Sequence, residues 1–198
     1  MLNPAPMTET EALAAYIDEQ AGAIFAAAHG LTEEQARRAP CRSTLSVGGL
    51  LKHATFVMRG PDRDHDHLTD ADFKTFIESF ALGVGESLEV ARQAFRKARS
   101  DLRVSVLASD PDAAIDVPSA PWHGRFGTRA ATARFQLLHL VEELARHAGH
   151  ADIIREQVDG AGAGPLMLAE EDLPGNDFMA PWTAEAATAT DGDVSAPR

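Results

Sequence analysis

Apolar positions return at helical spacing through most of this chain, and the breaks between those runs set its plan. After Thr8, the residues Leu13, Ile17, Ile24 and Phe25 recur among alanines as one helical face that ends at His29-Gly30. Thr8 and Glu11 fit a capping box, in which the hydroxyl accepts a backbone N–H and the carboxylate reaches back. A second box, Thr32 to Gln35, opens a short connecting helix through Arg38, and Pro40 stops it. Ser46 is suited to cap a helix running to about Arg59, whose core stripe is Val47, Leu50, Leu51, Ala54, Val57 and Met58. His53 falls at the margin of that stripe. Gly48 and Gly49 are poor helix formers, so their use there suggests close approach of another backbone.

Residues 61–70, PDRDHDHLTD, read as a charged loop, with Asp62, Asp64, His65, Asp66 and His67 alternating in solvent rather than gathered at a site. Thr69 then caps a short amphipathic segment carrying Phe73, Phe76, Ile77 and Phe80. Gly83 and Gly85 break the chain before a long helix from Glu86 to about Leu107, with Leu88, Ala91, Phe95, Ala98, Leu102 and Val106 inward. Its Arg92, Arg96, Lys97 and Arg99 read as a solvated outer strip. Residues 109–127, rich in Pro, Asp and Gly, read as a long loop in which Trp122-His123 plugs an apolar gap or lines a pocket mouth. The last long helix is expected from near Thr128 to about Val158, with Asp159-Gly160 as its C-terminal cap.

No run alternates with period two strongly enough to predict a strand. The fold class is therefore all-α: a four-helix bundle with crossover loops over residues 1–160, then an acidic Ala/Pro/Gly-rich tail over 161–198. Most of that tail is expected to be disordered, with Leu166, Met167, Leu168, Phe178 and Trp182 able to pin its first part to the bundle.

Composition narrows the function. At 44% hydrophobic residues the chain has material for a core, and a net charge of −12 argues against nucleic acid or an anionic membrane as partner. No apolar stretch nears the ~20 residues of a membrane span. The N-terminus lacks the basic and apolar regions of a signal peptide, and Cys41 is the lone cysteine, so a cytoplasmic setting is expected. Cys41 reads as an ordinary small residue rather than a nucleophile.

The chemistry concentrates on the last helix, where His139, Glu143, His147 and His150 form one stripe. Residues at i and i+4 stand ~5–6 Å apart at Cβ, so Glu143 and His147 can converge on one ion. A third ligand must come from another helix, and His53 is the other histidine within an apolar helical segment. Two histidines and a carboxylate leave a coordination position open, the mark of a catalytic site. The bland reading is also available. Each histidine alone would pass for a hydrogen-bonded core residue, and Glu142, Glu143 and Arg146 for an ion-pair ladder worth ~0.3–0.5 kcal/mol per pair.

The run HLVEELARHAGHADIIRE with the following DG, together with LTEEQARRAP, LSVGGLLKH and TRAATARF, resembles the DinB-like superfamily over residues 8–160. It looks closest to the actinobacterial branch related to the N-terminal domain of mycothiol-dependent maleylpyruvate isomerase. That resemblance implies a bundle binding a divalent metal, zinc before nickel or iron, through His53, Glu143 and His147. It makes His139, His150 and Asp152 groups that orient those ligands or contact substrate. It further implies a transferase or isomerase acting on a small-molecule electrophile with a mycothiol-type thiol. Exposed arginines such as Arg125, Arg129 or Arg134 would suit an anionic co-substrate. A metallohydrolase that activates water, and a non-catalytic metal-stabilised binding bundle, remain the alternatives. Self-association as a homodimer through a helical face is a further expectation.

Overall fold

The structure is a computed structural model, and it describes residues 3–60, 69–117 and 128–184. Four long helices build the body: α1 (Glu9–Ala26), α3 (Val47–Arg59), α5 (Leu88–Leu107) and α6 (Ala133–Asp159). Between them lie short helices α2 (Glu33–Arg37) and α4 (Asp70–Glu78), and α7 (Ala163–Glu170) follows. The caps read from sequence are in place: Thr8 with Glu11, Thr32 with Gln35 and Thr69 with Asp72 form reciprocal boxes. Ser46 caps α3, accepting from the Gly49 N–H. Gly160, at φ 75°, closes α6 in the left-handed conformation that a side chain resists.

Helix α1 is the hub, packing on α3, α5, α6 and α7, while α3 also packs on α5 and α6. Its start is tied to the start of α6 by Arg134 to Glu9 at 2.7 Å. Its end is tied to the end of α6 by Arg155, which donates to the Ala27 and His29 carbonyls at 2.8 and 2.6 Å. The two helices therefore run in the same direction, which requires crossover connections. The core between them is formed by Ile17, Ile24, Leu50, Leu51, Phe95, Leu144 and Ile154, all nearly inaccessible to water.

Two expectations change. Residues 129–132 are not the first turn of the last helix. They form a strand, β2 (Arg129–Thr132), paired antiparallel with β1 (Ala114–Val117), Ala114 facing Thr132 and Val117 facing Arg129. Strands of four residues are too short for period-two alternation to show, and the alanines of β2 mimic a helix. Likewise α5 starts at Leu88 rather than Glu86, because Ser87 takes the cap and accepts from the Val90 N–H. Glu86 instead binds Lys52 at 2.8 Å.

The first part of the tail is folded. Leu166, Met167 and Leu168 of α7 are buried, and the Trp182 ring meets His29 edge-on with centroids 5.6 Å apart. Phe178, also expected to pin the tail, is fully exposed. The acidic and histidine-rich positions of 61–68, Trp122-His123, Arg125 and residues 185–198 lie outside the described residues.

Candidate metal centre

The close approach expected at Gly48-Gly49 is what builds this site. A Cβ on Gly49 would stand 2.1 Å from the Phe80 carbonyl oxygen, so only glycine lets the end of α4 lie directly against α3. That contact delivers two residues, Ser79 and Phe80, onto His53. The Phe80 ring lies flat over the imidazole, with centroids 3.8 Å apart and an interplanar angle of 17°. Phe76 meets it edge-on at 5.7 Å and Phe56 flanks it at 6.3 Å. His53 is completely buried.

The other groups come from α6. His147 Nε2 lies 3.1 Å from Glu143 Oε1, and His53 Nε2 lies 3.6 Å from the same oxygen. The ligand atoms of His53, Glu143 and His147 all fall within 4.8 Å of one another. Donors bound at ~2.0–2.2 Å to a common ion stand ~3–3.5 Å apart at tetrahedral or octahedral angles. The separations are thus near what an ion would impose.

Hydrogen bonding at Ser79 assigns the proton on His53. The Ser79 hydroxyl donates its single hydrogen to the Phe76 carbonyl at 2.6 Å. Its oxygen, 2.8 Å from His53 Nδ1, must therefore accept, which puts the imidazole proton on Nδ1. Nε2 is left with a lone pair, buried and without a hydrogen-bond partner, and it faces the Glu143 carboxylate. Burial lowers the His53 pKa, opposed by Glu143 and aided by the neighbouring His147, so a second proton on this ring is disfavoured. A hydrogen bond from His147 holds the Glu143 carboxyl well below the usual carboxylate range, against the effect of burial. A buried lone pair and a partly buried anion thus face each other, with a cation as their natural complement. The donor set fits a divalent metal.

The remaining sequence candidates separate. His150 stands beside the cluster, its ring 5.6 Å from that of His147, and its Nδ1 is buried without a partner. Burial, then the charges of His147 and Arg146, lower its pKa. His139, at the edge of the stripe, approaches Glu142 at 3.5 Å with about a third of its side chain exposed. Asp152 is not brought to the cluster. It lies nine residues beyond Glu143, and at ~100° per residue this places it on the opposite side of α6. Burial there, with Glu156 nearby, raises its pKa. Arg134 is already engaged by Glu9 and by Asp112 at 2.5 Å, and Arg129 lies in β2. Ser79 and Phe80 escaped the sequence reading, since Ser79 is 26 residues from His53 and nothing in a lone serine at a helix end signals such a role.

A helical bundle with a two-histidine, one-carboxylate cluster between its second and last long helices defines the class. The chain belongs to the mycothiol-S-transferase family, a DinB-like family, whose profile matches residues 12–160. The resemblance read from the HLVEELARHAGHADIIRE block is therefore borne out at that level. Among solved structures the chain is similar to the conserved protein of locus from Enterococcus faecalis, at 16% identity with a TM-score of 0.54. The likeness covers 79% of this chain and 100% of that one, and at such identity it is a likeness of fold. No curated protein matches the chain. Among the described residues no helix is long and apolar enough to cross a membrane.

Proposed function

We propose that the protein is a metal-dependent transferase that passes a low-molecular-weight thiol of the mycothiol type to a small-molecule electrophile. Its metal would be held by His53, Glu143 and His147, with zinc placed before nickel or iron on the family resemblance alone. The family name supports the thiol and the transfer. The observation that carries the metal is the His53 Nε2 lone pair, buried without a partner 3.6 Å from an ionised carboxylate.

A divalent ion held by His53, Glu143 and His147 would supply the acidity to keep a thiol deprotonated at neutral pH, against a free thiol pKa of ~8.5. The protein residues do the rest. Ser79 fixes the tautomer and tilt of His53 by accepting from Nδ1, and Phe80 clamps the same ring by stacking. Phe56, Phe76 and Phe80 form an apolar wall that keeps water from one side of the cluster. Glu143 stays ionised across the physiological range. Because the nucleophile arrives on the co-substrate, the chain needs no reactive cysteine, in keeping with a half-buried Cys41.

The test is a cobalt-substituted protein titrated with a low-molecular-weight thiol and assayed with a thiol-trapping electrophile. A thiol-induced shift of the cobalt spectrum, together with conjugate formation that Glu143→Ala abolishes, supports the reading. Metal uptake with no spectral response to thiol points to hydrolysis or to a binding role. Failure to take up any metal removes it.

A further inference from the structure

Helix α6 is apolar on two sides. Its inner face buries Leu137, Leu140, Leu144, Ala148 and Ile154, yet Phe135, Leu138 and Ile153 on the outer face are each more than half exposed. A helix with a second apolar stripe is expected to pack on a second face. Gly149 lies in that stripe. A Cβ there would meet nothing within 4 Å, so nothing within the described chain calls for glycine at this mid-helix position. At Gly49 such a requirement is plain.

The order of residues in the stripe says what covers it. Phe135, Leu138, Glu142, Arg146, Gly149 and Ile153 follow one another at helical spacing. About the midpoint between Glu142 and Arg146 the stripe is self-complementary: Phe135 and Ile153 lie equally far to either side, and Glu142 mirrors Arg146. We infer that this face of α6 is a homodimer interface, in which the helix pairs antiparallel with α6 of a second copy about a two-fold axis at that midpoint. Such an isologous contact brings each residue against its mirror position. Phe135 then packs on Ile153 of the second copy, and Leu138, whose mirror position is 150, lies beside the second copy's Gly149. Glu142 meets Arg146 of the second copy twice over, adding to the ion pair they already form within one helix. Gly149 is small because another helix approaches there. The stripe extends ~27 Å along the axis, enough for an extended helix–helix contact. It adjoins, without overlapping, the His53, Glu143 and His147 cluster, so the inference is independent of the metal.

Light scattering after size exclusion tests this on the full chain. The wild type is expected at twice the 21.2 kDa chain mass and at one chain mass on dilution. Gly149→Leu should give a monomer with unchanged helicity and no loss of thermal stability, because the space is open and leucine is the better helix former. Glu142→Arg and Arg146→Glu should each give monomers through like-charge contact across the axis. The double exchange E142R/R146E should restore the dimer, which a role confined to the single helix does not predict. A wild type that is monomeric at every concentration, whether its outer face is bare or covered by its own chain, overturns the inference. So does a Gly149→Leu protein that still dimerises.

Discussion

Replacing Ser79 by Ala isolates one link in the candidate metal site, the hydrogen bond that holds the proton of His53 on Nδ1. The substitution removes only an oxygen, so packing around Phe76 and Phe80 changes little. In the metal-bound protein Nε2 is committed to the ion and the proton has to remain on Nδ1. There it would be buried among aromatic rings without an acceptor, at a cost of ~1–3 kcal/mol. In the metal-free protein the proton can move to Nε2 and face Glu143 Oε1, 3.6 Å away, which relieves the penalty. The loss therefore falls on the bound state. It should appear as a ~10–100-fold fall in metal affinity, the range typical of lost partners behind a ligating histidine. In free energy that is ~1.4–2.7 kcal/mol. Competition against a chromophoric chelator at neutral pH measures it, and urea unfolding of the metal-stripped protein provides the control. Unchanged affinity would refute the tautomer argument. An equal loss of stability in the stripped protein would show that Ser79 serves the fold instead.

Gly49→Ala forces a Cβ against the Phe80 carbonyl, and overpacking of this kind costs ~1–3 kcal/mol; urea unfolding should show it, with weaker metal binding because Ser79 and Phe80 are displaced together. Arg155→Met removes a fully buried guanidinium that grips Asp159 twice at 2.9 Å and two carbonyls at the end of α1. Breaking such a buried pair costs ~3–5 kcal/mol, so thermal unfolding should move sharply while metal affinity per folded chain stays the same. Acid should destabilise the metal-stripped protein in a defined window. Burial lowers the folded pKa of His53, so the unfolded chain takes the proton more readily, and stability falls as pH drops below ~6.5. Glu143, held ionised by its hydrogen bond from His147, adds a further loss as pH falls below its unfolded value of ~4.3. Melting temperatures across that range should decline, and less steeply in His53→Asn.

Much of this was legible in the residues. Capping boxes at Thr8 and Thr32 and the cap at Thr69 are local signals, and the same residues make them in the structure, where Asp72 completes a third box. The ligand trio could be proposed because Glu143 and His147 share a helix face, while His53 was the histidine remaining in an apolar helix. Gly48 and Gly49 announced a close approach but not its partner. That partner, the Phe80 carbonyl, depends on how α4 folds back, which no local pattern encodes. Ser79 was invisible for the same reason. Asp152 was drawn in by the look of the HAGHAD run, whereas helical geometry puts it across the helix from Glu143. The strand at Arg129–Thr132 was hidden by its alanines and its brevity.

The central claim is that His53, Glu143 and His147 hold a functional divalent metal. Elemental analysis of purified wild type and Glu143→Ala protein tests it most directly. The account predicts one divalent ion per wild-type chain and its loss from a still helical Glu143→Ala protein. A wild type that carries no divalent metal and takes none up on titration would contradict it.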